Sequence, residues 1–403
     1  MTLSRRGFVT GVTAAAVTGP LHLRGQASRP PRSSTSFDPW IEVDPRALAH
    51  NVGVVSGLTG GRPILAVVKN NAYGLGLAEV ARILEPMPAI AGFAVVKAAA
   101  ALGLREAGIR KPVLLMGLFG DEEGAELVAR DVHLALSTTD AGDRLERAGR
   151  ATGRRPRGHA YLDTGMSRMG VPYHRALPWL ETLGNRDLTV DGTFMAFTED
   201  PDFDREQLRR FREVVETARS AGVATGALHA ASSNGVFHLP EAHLDLVRPG
   251  IALFGGYPSD WERERALAEL RPAVRLRARV VRVERLRPGD GVSYGRDYVA
   301  QRPTWIATLP VGHTDGVPRE AVRGAKVLIG ERLYPIIGAV SASHAIVEMG
   351  EEETVRIGDE ATLVGPDHPD IGPNAVAAAT GRSVYDIFMH LDRGLPRVVL
   401  PGA

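Results

Sequence analysis

Between residues 64 and 255, apolar runs short enough for single strands alternate with longer amphipathic stretches. The runs are ILAVVK (64–69), IAGFAVV (90–96), VLLMG (113–117), LALST (134–138), HAYLDT (159–164), TFMAF (193–197), ALHAA (227–231) and IALFG (251–255). Each is nearly continuous in apolar residues, as strands covered on both faces must be, and each ends in polar or glycine-bearing residues where a turn is due. The intervening stretches have helical spacing. In REQLRRFREVVETARSAG (205–222), Leu208, Phe211, Val214 and Val215 share one face, and Gly222 stands where a C-cap belongs. Eight strand–helix units predict a parallel sheet closed into a (β/α)8 TIM barrel.

Past Leu270 the texture changes. AVRLRARVVRVERLRPG alternates apolar residues with arginine at period two, and TWIATLPVG, KVLIGERLYPIIGAV, HAIVEMG and ATLVG follow with Gly, Pro or Asp between them. That pattern predicts an antiparallel β domain. The expected organisation is therefore α/β, with the barrel over 37–270 and a C-terminal antiparallel β domain over 271–403. Ahead of both, SRRGFVTGVTAAAVTGPLHL sets Arg5 and Arg6 before an apolar stretch from Gly7 to Leu21, too short to span a bilayer. It resembles a twin-arginine export signal, and SRPPRSSTSFDP (28–39) reads as a Pro- and Ser-rich linker. Residues 1–36 are assigned to signal and linker. The folded part is expected in the periplasm or secreted, with no stable membrane anchor.

Composition narrows the function classes. A net charge of +1, with arginines interspersed among carboxylates, gives no footprint for nucleic acid. The absence of cysteine excludes disulfides and thiolate metal sites. The 12 histidines are scattered, with no pair at helical ligand spacing beside a carboxylate, so no metal site is expected. Lysine is scarce: among 48 Lys+Arg only Lys69, Lys97, Lys111 and Lys326 are lysines. One of these ends the apolar run AVVKNNAYGLG (66–76). Arginine stays charged there, whereas a desolvated lysine sheds its proton and becomes a nucleophile. The bland alternative is a surface lysine at a strand end.

In order and spacing, AVVKNNAYGLG, LDTGMSRMG, LVRPGIALFG and GVSYGRDY resemble the alanine racemase family over roughly residues 40–400. The resemblance implies a pyridoxal 5'-phosphate (PLP) barrel joined to a β domain, and a homodimer with shared active sites. It implies Lys69 as the residue that condenses with PLP and then serves as base on one face of the substrate α-carbon. Tyr294, from the partner subunit, would serve on the other. Tyr73, Ser233 and the backbone of Gly250 and Ile251 would hold the phosphate, although Ser233 alone reads equally as a helix N-cap. Arg248 would face the pyridine nitrogen, and Arg168 the cofactor phenolate and the substrate carboxylate. An always-protonated guanidinium leaves that nitrogen unprotonated, which suits racemisation better than decarboxylation.

Departures from the family pattern concern the pocket. Tyr161 stands where many relatives carry a carbamylated lysine, Ala196 where a histidine lies under the ring, and His313 where an aromatic stands. Ala342 and Ser343 align with a Met-Asp pair beside the substrate, and Val399 with a phosphate-binding tyrosine. The expected function is a PLP-dependent amino-acid racemase acting on alanine or on side chains larger than methyl. The alternatives are a PLP-dependent lyase or epimerase, and a non-catalytic ligand-binding protein of the same fold.

Overall fold

The apolar runs form strands because their side chains are buried on both faces. A computed structural model describes residues 36–265 and 267–402. The expected export signal lies outside the described residues. The first strand is β1 (Trp40–Val43). The parallel strands of the barrel follow as β2 (Ile64–Val67), β3 (Ile90–Val95), β4 (Val113–Leu115), β5 (Val132–Leu136) and β6 (Arg157–Asp163). A short β7 (Val171–Pro172) pairs with β6 off the main path, and β8 (Thr189–Phe194) and β9 (Ala227–His229) complete the ordered run. Helices cover the outside. Pro201–Ser220, the helix expected from the 205–222 pattern, starts at Asp200, whose side chain accepts from the N–H groups of Asp202 and Phe203.

The eighth strand is not the expected 251–255 run. Closure comes one turn earlier: Leu246 bridges His229, and Val247 bridges Ile64. Leu65 N–H and Val67 N–H donate to Val247 O and Pro249 O, both at 2.9 Å, while Arg248 N–H donates to Ala231 O at 2.8 Å. Pro249, lacking an N–H, and Gly250 end the extended backbone, so Ile251–Phe254 winds into a 3-10 turn. Its residues are apolar because the turn is buried, not because it is a strand.

The second sheet is nine-stranded and mostly antiparallel. Its β10 (Val274–Arg279) alternates buried apolar residues with half-exposed arginines, as the period-two pattern predicts. One assignment needs correction. β1 pairs antiparallel with β10, Trp40 opposite Arg277, and in parallel with Arg397–Val399. Residues 40–43 thus belong to the second sheet and not to the barrel, and in that place Ile41 and Val43 are completely buried. Among the described residues no helix is long and apolar enough to cross a membrane.

Candidate active site

At the carboxyl end of β2 the chain does something costly. Asn70, Asn71, Ala72 and Tyr73 have φ of 52°, 59°, 50° and 54°, four successive side-chain-bearing residues in the left-handed region. Each costs about 1–2 kcal/mol, least for asparagine. Packing enforces the turn. Asn71 Oδ1 accepts from Leu77 N–H at 2.9 Å, and Arg397 donates to Gly74 O at 2.7 Å. Ala72 and Tyr73 are buried. Gly74 must lack a side chain, since a Cβ there would lie 2.3 Å from Phe388 O. Strain of this kind concentrates at functional sites. Here it delivers Lys69 into a cavity of about 730 Å³ at the mouth of the barrel. Burial lowers the pKa of the Lys69 ammonium, the Arg168 guanidinium lowers it further, and Glu199 opposes the shift. The result is a larger fraction of free amine at neutral pH.

Arg248 lines the same cavity and is almost wholly buried. Its Nη1 donates to His229 O at 2.7 Å and to His229 Nδ1 at 3.0 Å, and its Nη2 donates to Met195 O at 2.7 Å. Burial pushes its pKa down to about 10, which leaves it a cation at neutral pH. Because arginine only donates, His229 must accept at Nδ1 and carry its proton on Nε2. That proton points to His159 Nδ1 at 2.9 Å, and His159 Nε2 lies 3.3 Å from His133 Nδ1. Burial drives His229 far below its ordinary value and His159 to about 3, so both are neutral. Phe194 stacks between His229 and Tyr161, with centroid separations of 5.0 and 4.2 Å. A train of neutral imidazoles therefore crosses the barrel and fixes the guanidinium. The ligand atoms of His133, His159 and Asp191 lie within 4.8 Å of one another, but both Asp191 oxygens accept from Arg157, at 2.6 and 2.8 Å. The carboxylate that ends the train therefore already has a cationic partner.

A polar cradle borders the cavity as well. Ser233 Oγ accepts from Gly250 N–H at 2.9 Å and from Ala252 N–H at 3.2 Å. A Cβ on Gly250 would fall 2.1 Å from the Tyr73 hydroxyl, so glycine keeps that hydroxyl in place. Ser232 Oγ is buried, lines the cavity and has no hydrogen-bond partner among the described residues. An orphaned hydroxyl, the Tyr73 phenol and a buried cation beside a nucleophilic amine fit an aldehyde that carries a phosphate and a basic ring nitrogen.

Comparison with known proteins agrees. Residues 43–258 match the family described as alanine racemase, N-terminal domain, and residues 273–399 that described as alanine racemase, C-terminal domain. An alanine racemase of Carboxydothermus hydrogenoformans is 36% identical over 369 residues, covering 89% of this chain and 98% of its own. One of Desulfovibrio desulfuricans is 32% identical over 372 residues, covering 90% and 99%. Among solved structures, alanine racemase of Clostridium difficile 630 superposes with a TM-score of 0.85 at 26% identity, covering 91% of this chain and 96% of that one. That of D-cycloserine-producing Streptomyces lavendulae gives 0.83 at 30% identity, covering 92% and 98%. The chain belongs to the alanine racemase family. It is an amino-acid racemase, an isomerase, and neither the lyase nor the binding-protein alternative is favoured.

Within this racemase, Lys69, Tyr73, Arg168, Ser233, Arg248 and Gly250 share one cavity. Arg168 is presented by a turn in which Asp163 Oδ1 accepts from Gly165 N–H and Ser167 N–H, both at 3.0 Å. Ile251 opens the buried 3-10 turn beside Ser233. Tyr294, Ala342 and Val399 are not brought to the cavity. Tyr294 is 77% exposed, and Ala342 and Ser343 lie on an exposed loop near it, where Ser293 Oγ donates to Ala339 O. Val399 pairs with Val43 in the second sheet, because the extended tail adds to that edge. Besides Tyr73 and Tyr161, Tyr385 lines the cavity, 6.4 Å from Tyr73 between ring centroids. Tyr385, Glu199, His133 and His159 escaped the sequence reading, and no pattern along the chain pointed to them.

Proposed function

We propose that this racemase interconverts the L and D forms of an amino acid with PLP carried on Lys69, in a homodimer in which each site borrows Tyr294 from the partner. Bound there, PLP supplies an electron sink that acidifies the α-hydrogen of the amino acid. The chain's own residues do the rest. Lys69, freed from the cofactor by substrate, takes or returns the α-proton on one face, helped by its lowered pKa. Tyr294 handles the proton on the opposite face. Arg168 pairs with the substrate carboxylate, and Tyr73, Ser232 and Ser233 hold the phosphate. Arg248, fixed by His229, donates to the ring nitrogen without giving up its proton. Exposure of Tyr294 on one surface, and of Leu118 at the cavity, supports completion of the site by a second copy.

A single observation carries the reading: a partly buried amine of lowered pKa and a buried guanidinium share one cavity. Borohydride reduction of the protein purified with PLP, followed by peptide mapping, is expected to place the pyridoxyl group on Lys69. A label on Lys97, Lys111 or Lys326, or none at all, overturns it. We also propose export through the twin-arginine route. Cell fractionation is expected to find the protein outside the cytoplasm, and an Arg5→Lys, Arg6→Lys variant is expected to stay inside.

A further inference from the structure

We propose that this racemase turns over amino acids with cationic side chains best, and that Glu199 recognises the cationic end. The proposal deepens the racemase reading and rests on it. The first support is the cavity wall. Met116 and Met169 gather with Ala196 around the Tyr161–Phe194 stack, and Met166 also faces the cavity. Thioether side chains are flexible and polarisable, so they adapt to unbranched methylene chains of varied length. A wall of this kind suits a long aliphatic stem rather than a single methyl.

The second support is independent and lies at the rim. Glu199 follows Phe197 out of the barrel and lines the same cavity with an exposed side chain. Its backbone is pinned there. φ is 65°, a left-handed value that persists only where surrounding contacts impose it. The contacts are visible: Asp204 Oδ1 accepts from Glu199 N–H, Thr198 N–H and Thr198 Oγ1, each at 3.1 Å, and Gln207 Oε1 accepts from Thr198 N–H at 3.0 Å. The first turn of helix Pro201–Ser220 thus clamps the backbone of Glu199 at the mouth, where its side chain lines the cavity. The field of the carboxylate reaches the floor, where it favours the charged form of Lys69 and disfavours that of Tyr73. An extended lysine side chain carries its ammonium roughly 6 Å from Cα, far enough to leave the reacting centre and approach a rim. Alanine has nothing to offer there, and norleucine offers a methyl group.

The test compares kcat/KM for L-alanine, L-lysine and L-norleucine on the PLP-loaded full-length enzyme and on E199Q and E199D. Lysine is expected to exceed norleucine by roughly tenfold, the scale of a hydrogen bond to a charged partner. In E199Q that ratio is expected to fall toward one, in E199D to be partly kept, and in the wild type to narrow with added salt. A merely structural role for Glu199 moves all substrates together and leaves the ratio alone. Equal turnover of lysine and norleucine by the wild type overturns the proposal, as does an unchanged ratio in E199Q. If alanine is racemised without any preference for lysine, only this proposal fails. If no amino acid is racemised, the racemase reading fails with it.

Discussion

Lys69 was legible because three independent signals met on it: an apolar run, a turn, and a chain that otherwise writes its cations as arginine. What the sequence could not show is how the amine is tuned. Burial contributes most to the lowering of its pKa, and Arg168 adds to it. The reactive form is the free amine, so condensation with PLP speeds up as pH rises and reaches half its maximum below the ordinary 10.5. Arg168→Gln removes one cause of the lowering. Its midpoint is expected to move to higher pH, read from the rate at which absorbance of bound PLP grows in cofactor-free protein across a pH series. An unmoved midpoint denies Arg168 this role. Lys69→Ala is expected to lose racemisation by on the order of 10³-fold or more while remaining folded. The phosphate cradle was less legible. Ser232 and Ser233 are neighbours in sequence, and only the fold decides that Ser233 caps two backbone N–H groups while Ser232 aims an unpartnered hydroxyl at the cavity.

At the level of elements, runs buried on both faces could be read directly, while pairings chosen by distant chain could not. Residues 251–255 are as apolar as any strand, yet Pro249 and Gly250 stop the ladder before them. β1 looks like the first strand of a barrel and instead fills a place beside β10. The left-handed turn after β2 was equally hidden, since neither asparagine nor alanine announces four successive positive φ values. It makes Gly74 intolerant of a side chain. Gly74→Ala is expected to lose more than about 1 kcal/mol of stability, measured by urea unfolding, because φ of 87° and the contact with Phe388 O both oppose a Cβ. The histidine train across β5, β6 and β9 has a different signature. His133, His159 and His229 all titrate below the ordinary 6.5 in the fold, chiefly through burial. Between the unfolded and folded values the unfolded chain binds more protons. Stability from these groups is fully present above pH 6.5 and is lost as pH falls toward about 3, the folded value of His159. The urea midpoint is therefore expected to drop between neutral pH and pH 5, and His159→Gln is expected to flatten that drop. A midpoint independent of pH there contradicts the neutral assignment.

On the scale of the whole molecule, the proposed function divides the chemistry between two chains. The barrel supplies amine, guanidinium and cradle, while Tyr294 stands 77% exposed on the antiparallel half. The family resemblance implied a borrowed tyrosine, and no pattern within one sequence could have located its partner surface. Self-complementary dimers of this kind are common, and their sites can be reconstituted from two defective chains. Lys69→Ala and Tyr294→Phe variants, co-expressed with different tags and purified through both, test the arrangement most directly. Each parent alone is expected to be inactive in alanine racemisation. The mixed dimer is expected to regain about half of the wild-type rate, since one of its two sites pairs an intact Lys69 with an intact Tyr294. A doubly tagged dimer as inactive as its parents contradicts the shared site.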